Sequence, residues 1–323
     1  MLNGIIPITL DHCLIKIWRS FLVTKPDFII IGAAKSGTTT LYEYLCRHPQ
    51  IFMSTPKEPD FFSLDQNYTK GIEWYESLFE EAKPHQICGE ASTTYSRSHQ
   101  HPNTAERIAK HLPDVKLIYI MRHPIDSAYS FYAYRLRRSQ YNREFLAARN
   151  ELMEAKTFEE GIAQQSEFID SSHYLEQIEK YLPFYPQESF LFLFMEDLIS
   201  NPMGVVTKIF DFLGVDFDIK LMNKEAIVAN KADDDSEKFF RRRLSKSIQA
   251  IPLAKSASQL LPKSLKQTFY QIGYNFGNGK WTNQEYVPPQ MLPETRTMLI
   301  EKFREPNHRS SQFLSRDLSH WNQ

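Results

Sequence analysis

The stretch PDFIIIGAAKSGTTTLYEYL, Pro26 to Leu45, limits what this chain can fold into more than any other segment. Asp27 to Ile31 is a short apolar, β-branched run that reads as a buried parallel strand. Gly32 and Gly37 follow, and a helix is expected from Thr38 to Arg47, with Leu41, Tyr44 and Leu45 on one face and Pro49 beyond its end. A strand, a glycine loop and a helix in succession aim backbone N–H groups and the positive helix end at an anion. Ser36, Thr38, Thr39 and Thr40 add hydroxyls. Threonines are unfavourable inside a helix but comfortable in its first turn, where they can bond orphan amides. The loop therefore predicts phosphate binding, with one anomaly. A nucleoside-triphosphate loop carries lysine directly after its second glycine. Here Thr38 stands there, and Lys35, between the glycines, is the lysine that would meet the phosphate as a mobile point charge.

Further buried strands are expected at Val115 to Met121 and Ser189 to Met195, with a weaker one at Ile87 to Glu90. Helical patterns lie between them: Asn103 to His111, from about Ile125 onward, Phe158 to Phe168, His173 to Leu182 and Pro202 to Leu213. Strands alternating with helices give an α/β fold: P-loop-like, three layers, a central mainly parallel sheet flanked by helices. Beyond about Ala229 polar and charged residues dominate, and a helical C-terminal extension folded against the core is expected, with a solvated segment around 229–240.

The strand VKLIYIM ends in Arg122, His123 and Pro124. A nucleoside triphosphatase often has Asp at such an end to hold magnesium. Arg122 is a planar fork suited to phosphate oxygens and not to a metal. A helix starting near Pro124 turns Asp126 and Ser130 to one side, so Arg122 and Ser130 can close on a second phosphate.

Together these residues resemble the sulfotransferases that use 3′-phosphoadenosine 5′-phosphosulfate (PAPS), especially the carbohydrate and heparan-type branch and its bacterial relatives. The resemblance covers roughly residues 26–216, with a looser echo in LSRDLSHW near the end. FIIIGAAKSGTTTLYEYLCRHPQI resembles the family's 5′-phosphosulfate loop and LIYIMRHPIDSAYSFY its 3′-phosphate motif. TPKEPDFFS resembles the segment with a glutamate before a double Phe, and GEASTTY, Gly89 to Tyr95, matches another block. HYLEQIEKYLPFYPQESFLFLFMEDLISNP resembles the family's tyrosine-bearing helix and the strand ending in Glu-Asp.

The resemblance implies a PAPS-dependent enzyme that moves a sulfuryl group in line to a hydroxyl or amine, favouring a carbohydrate acceptor, and releases adenosine 3′,5′-bisphosphate (PAP). It implies Lys35 and Glu58 as catalytic residues. It implies Lys35, Ser36, Gly37, Thr38, Thr39, Thr40, Arg122, Ser130 and Tyr174 around the nucleotide, with no metal. A triphosphate's lysine and magnesium partner are then not required. Glu58 is the expected general base. His99 and His101, read as exposed, are its rivals, and His123 is placed by the 3′-phosphate. In heparan-type enzymes a lysine often follows the glutamate of the GE block, where this chain has Ala91. Basic clusters at Arg135 to Arg143 and Lys238 to Lys246 could guide an acidic acceptor or the 3′-phosphate, and Lys238 with Arg241 to Arg243 are candidates for a late PAPS-contacting loop. The domain division is a lead-in helix over 1–25 and one sulfotransferase domain over 26–323, with its core at 26–216 and the helical extension at 217–323.

Two other classes stay open. A P-loop kinase or other nucleoside-triphosphate enzyme could use Glu196 and Asp197 as a magnesium-binding strand end; an inactive PAP-binding module would fit Ala91. Composition narrows the rest. At 42% hydrophobic and 24% charged, the 323 residues are neither globally disordered nor a membrane bundle. A net charge of −1 argues against bulk nucleic-acid binding. Cys13, Cys46 and Cys88 are scattered, which reads as reduced thiols in a cytoplasmic protein. Asp11, Lys16 and Arg19 break the apolar N-terminal run, so an amphipathic lead-in rather than a stable membrane span is expected.

Overall fold

The computed structural model describes residues 25–141, 152–216 and 287–323. The expected lead-in helix up to residue 24, all of residues 217–286 with the cluster at Lys238 to Lys246, and the end of the Arg135 to Arg143 cluster lie outside the described residues.

Five parallel strands form one sheet: β1 (Phe28–Gly32), β2 (Ile51–Met53), β3 (Ile87–Ala91), β4 (Lys116–Met121) and β5 (Phe190–Phe194), in the order β2-β3-β1-β4-β5. The helices are α1 (Thr38–Cys46), α2 (Asp65–Tyr68), α3 (Ile72–Glu76), α4 (Thr104–His111), α5 (Pro124–Tyr141), α6 (Phe158–Gln164), α7 (Glu167–Asp170), α8 (Tyr174–Glu179), α9 (Met195–Ser200), α10 (Pro202–Leu213) and α11 (Pro293–Leu314). The fold is the expected three-layer α/β arrangement.

Alternation along the strands makes the layers. Ile29, Ile31, Leu117, Tyr119 and Met121 face one side, with Tyr75, Phe79, Ile108, Tyr174 and Trp321. Phe28, Ile30, Ile118 and Ile120 face the other, against Leu41 and Leu45 of α1 and Val206, Ile209 and Phe210 of α10. Successive residues of a strand point to opposite faces, and a sheet covered on both sides is apolar at most of its positions. A third cluster joins α5, α6, α7 and α11 through Tyr132, Phe158, Phe168, Leu299 and Phe303.

Three local readings change. Strand β2 was not anticipated; three residues between Pro49 and Pro56 leave too short a pattern to separate from a loop. The helix expected over Phe158 to Phe168 is two, α6 and α7, broken at Gln165, whose backbone is extended. The mixed signals expected over Phe303 to Leu318 resolve into the end of a 22-residue helix that tolerates Pro306. Its buried stripe, Thr295, Leu299, Phe303, Asn307 and Ser310, recurs every three or four residues and packs toward α5 and α8. After α11 the chain turns back and buries Trp321 completely. Among the described residues no helix is long and apolar enough to cross a membrane.

Candidate active site

A parallel sheet presents its loops at the carboxyl ends of its strands, and ligands bind there where the strand order reverses. Reading along that edge, the segment with Glu58 follows β2, GEASTTY completes β3, the glycine loop follows β1 and Arg122 follows β4. Four neighbouring strands, about 4.8 Å apart, thus carry the two phosphate motifs, the Glu58 segment and the GEASTTY block.

The glycine loop is fastened to its neighbours at three successive residues. The Ala33 N–H donates to Ile120 O (2.8 Å), Ser127 Oγ to Ala34 O (3.2 Å) and Arg122 Nη1 to Lys35 O (3.5 Å). Gly32 is required by space, since a Cβ there would lie 2.1 Å from Ser96 Oγ. Gly37 is required by conformation, with φ 99° as the residue that caps α1. It offers no side chain to the first-turn amides of α1, which leaves that helix end open to an anion. Helix α1 starts at Thr38, so the threonines occupy its first turn as expected. Thr38 is buried, and Thr39 and Thr40 are half-buried.

Lys35 has φ 63°, a left-handed conformation that costs a non-glycine residue about 1–3 kcal/mol and is typically found at functional sites. Its Nζ lies 4.3 Å from the centre of the Tyr134 ring, a cation–π contact reaching across to α5. Ser36 is fully buried. Tyr174 lies beneath the loop rather than in an open pocket: it is 2% exposed, and its hydroxyl faces those of Ser36 and Ser127. The loop thus rests on a small cluster of buried hydroxyls.

Arg122 and Ser130 do converge. Both line an open pocket of about 430 Å³ with Asp126, Tyr129, Ala133 and Arg137, and with Val287, Pro288 and Gln290. Asp126 is paired with Arg296 (2.9 Å), so the lining's carboxylate is neutralised.

The Glu58 segment is built differently. Its backbone hangs from β3: the Glu58 N–H donates to Ala91 O (3.0 Å) and the Asp60 N–H to Ser92 Oγ (3.1 Å). Both residues are left-handed, φ 59° and 51°. The double Phe anchors this strained loop. Phe61 and Phe62 are at most 1% exposed and pack on Tyr75 and Tyr95, and each buried ring contributes about 1.5–3 kcal/mol. Thr93 Oγ1 donates to Glu58 Oε1 (3.3 Å), and Lys57 Nζ lies 2.9 Å from the same oxygen. Burial pushes the Glu58 carboxyl up, but Lys57, Arg97 and Thr93 outweigh it and hold the group below the usual carboxylate range. The side chain still keeps 43% of its surface open, at the lip of the cleft. Asp60 is the opposite case. Burial raises it to about 6, against the hydrogen bond it accepts from Thr94 Oγ1 (2.5 Å). Ala91, in the position where a lysine was noted as common, is fully buried in the strand core.

The rival histidines lie elsewhere. His99 is exposed beside Glu176 (3.7 Å). His101 is not exposed as expected but half-buried, in a separate polar pocket with Ser63, Asn103 and Arg107; burial lowers it to about 4. Both ring nitrogens of His123 are buried, and burial lowers it too. Glu196 and Asp197 are committed to the C-terminal tail. Glu196 Oε1 accepts from the His123 N–H (2.9 Å) and from Trp321 Nε1 (3.3 Å), while Arg316 grips Asp197 with two bonds of 2.7 and 2.8 Å. Sequence reasoning did not single out Asp60, Arg97 or Tyr134. Only the proline-flanked acidic pair in TPKEPD could have signalled the first.

Known proteins are similar to this chain in sequence and in fold. Human heparan sulfate glucosamine 3-O-sulfotransferase 6 is 33% identical over 193 residues, covering 59% of this chain and 52% of the relative. Mouse heparan sulfate glucosamine 3-O-sulfotransferase 5 is 31% identical over 191 residues, 59% and 54% respectively. The chain thus spans about half the length of the curated relatives it matches. The crystal structure of a sulfotransferase from Alicyclobacillus acidocaldarius shares the fold, with a TM-score of 0.60 at 23% identity over 93% of this chain and 100% of that one. The profile of the sulfotransferase domain matches residues 25–267, three quarters of the chain, and the protein belongs to the sulfotransferase domain family.

Proposed function

We propose that this chain transfers the sulfuryl group of PAPS to a hydroxyl or amine, on a carbohydrate acceptor, and releases PAP. One observation carries the reading. A loop that rests on buried hydroxyls and ends in an uncapped helix start adjoins, through the Arg122 to Lys35 hydrogen bond, a pocket holding Arg122 and Ser130. Two adjacent anion sites fit a nucleotide with phosphate at both 5′ and 3′ positions. The residues present fit PAPS as donor: Ser36, Gly37, Thr38, Thr39 and Thr40 at the 5′-phosphosulfate, with Tyr174 supporting Ser36 from below, and Arg122 and Ser130 at the 3′-phosphate.

The order along the sheet edge then describes the reaction. The acceptor enters on the β2 side by Glu58. Its oxygen or nitrogen forms a bond to sulfur as the bond from sulfur to the bridging oxygen breaks. The acceptor's proton passes to Glu58, which is ionised because Lys57, Arg97 and Thr93 stabilise the carboxylate. The electron pair of the broken bond stays on the 5′-phosphate of PAP, where Lys35 and the loop amides meet the growing charge. Positioning and charge neutralisation of this kind supply most of such a rate enhancement.

The names of the relatives favour a glycan. A single domain from residue 26 onward and a cytoplasmic location belong to the same proposal. Titration calorimetry tests it: PAP binds at micromolar affinity without added metal, and label from radioactive PAPS moves to a glycan in a panel of acceptors. Tight magnesium-ATP binding with no PAP binding would overturn the assignment. PAP binding with no transfer to any acceptor would favour an inactive PAP-binding module.

A further inference from the structure

The arginines of the RLRR run have different fates. Arg135 is held by Glu167 (2.9 Å) with both side chains largely buried, and this ties α5 to α7. Arg137 instead lines the pocket of Arg122 and Ser130. Asp126, Ser130, Ala133 and Arg137 are spaced by four, three and four residues, one stripe along α5. Side chains on a helix lean toward its N-terminus, so Arg137 extends over the turn that carries Ala133 and toward Ser130. A methyl group at 133 leaves that path open. The carboxylate on the stripe, Asp126, is engaged by Arg296. The far wall is fixed as well, since Tyr129 Oη donates to Pro289 O (3.0 Å) beside the lining residues Pro288 and Gln290.

Charge supplies the second argument. A phosphate monoester carries about −1.5 to −2 at neutral pH. One guanidinium leaves much of that charge uncompensated, and Arg forks are suited to binding phosphate oxygens in pairs. We propose that Arg137 is a further ligand of the 3′-phosphate, closing on it with Arg122 and Ser130 and setting the preference for nucleotides phosphorylated at both ends. This rests on the PAPS reading of the site.

The test is calorimetry with PAP and with adenosine 5′-phosphosulfate, which lacks the 3′-phosphate, on wild type, Arg137→Gln, Arg137→Lys and, for calibration, Arg122→Ala. Arg137→Gln is expected to weaken PAP by about tenfold or more, as loss of a charge-assisted bond does, and to leave adenosine 5′-phosphosulfate nearly unchanged. Arg137→Lys, which keeps the charge and loses the fork, falls between. Affinity for PAP in Arg137→Gln should also depend less steeply on salt. If wild type binds PAP and Arg137→Gln weakens both ligands equally, or neither, Arg137 does not read the 3′-phosphate. Unchanged PAP affinity with a raised KM for the acceptor would move Arg137 to the acceptor side and overturn the proposal. If wild type itself fails to bind PAP, the reading of the whole site falls and this inference with it. Thermal unfolding of each unliganded variant separates loss of fold from loss of contact.

Discussion

The two halves of the cleft solve opposite problems. On the β1 and β4 side, regular elements do the work: two strands end, two helices begin, and backbone amides, hydroxyls and an arginine face one way. An anion needs only donors and positive charge, and secondary structure supplies both at a helix start. On the β2 side an irregular loop holds two carboxylates in left-handed conformations, secured by buried phenylalanines below and threonine hydroxyls above. A base has to be negative in a crowded place, and no regular element provides that. The structure keeps Glu58 ionised with Lys57, Arg97 and Thr93, and lets Asp60, two residues on, rise to about 6. On the proposed reading one side stabilises charge and the other removes a proton, and the contrast can be broken from either.

The largest effect is expected at Lys35. Lys35→Ala should lower turnover by about 10²–10³-fold, in the range found when a donor to a developing oxyanion is lost. PAP affinity should fall much less, because the amides and hydroxyls of the loop remain. Single-turnover transfer from PAPS, paired with PAP calorimetry, separates the two. Equal losses in both would make Lys35 a binding residue only.

On the acceptor side, Glu58→Gln should leave PAP binding near wild type and reduce turnover by about 10²-fold, the lower end for a general base. Asp60→Asn should cost less than about tenfold if Glu58 takes the proton. The rate profile against pH distinguishes them independently. A base must be deprotonated, so activity is lost as pH falls through its pKa. With Glu58 as base that limb lies below 4.5, whereas a limb near 6 would transfer the role to Asp60.

The same contrast explains what could be read in advance. The anion side is local: one strand, one loop and one helix in twenty residues carry the glycines, the lysine and the threonines. The strand ending in Arg122 repeats that pattern, and Ser130 and Asp126 follow from helical spacing alone. The acceptor side is assembled from residues far apart in the chain. Thr93 reaches Glu58 and Thr94 reaches Asp60 only because β3 pairs with β2 and β1. Resemblance could point to Glu58, but nothing in TPKEPD shows that its backbone turns left-handed twice or that Arg97 lies within electrostatic reach of both acids. Tyr174 was legible as a position and not as a place, since its burial depends on Trp321 folding back from the end of the chain. Arg137 was hidden for another reason: in a run of basic residues the sequence does not say which one lines the pocket of Arg122 and Ser130.

The smallest effect concerns the strand that joins the two sides. Glu90 is fully buried in β3 and accepts three hydroxyls: Tyr75 (2.7 Å) and Tyr95 (2.8 Å) on Oε1, and Ser92 (2.8 Å) on Oε2. Burial outweighs those bonds and raises the carboxyl from 4.5 to about 7. The folded protein therefore keeps a proton that the unfolded chain gives up, and stability declines as pH rises between those values. Glu90→Gln keeps an oxygen for the tyrosines, turns an amide toward Ser92 and cannot ionise. Its urea midpoint, followed from about pH 5 to about pH 8, should gain on wild type as pH rises and level off once Glu90 is ionised in both states. A difference that stays constant across that range would mean Glu90 is ionised throughout, sustained by its three hydroxyl donors. The Ser92 hydroxyl, which also accepts from the Asp60 N–H, would then link the acceptor loop to a buried charge rather than to a neutral acid.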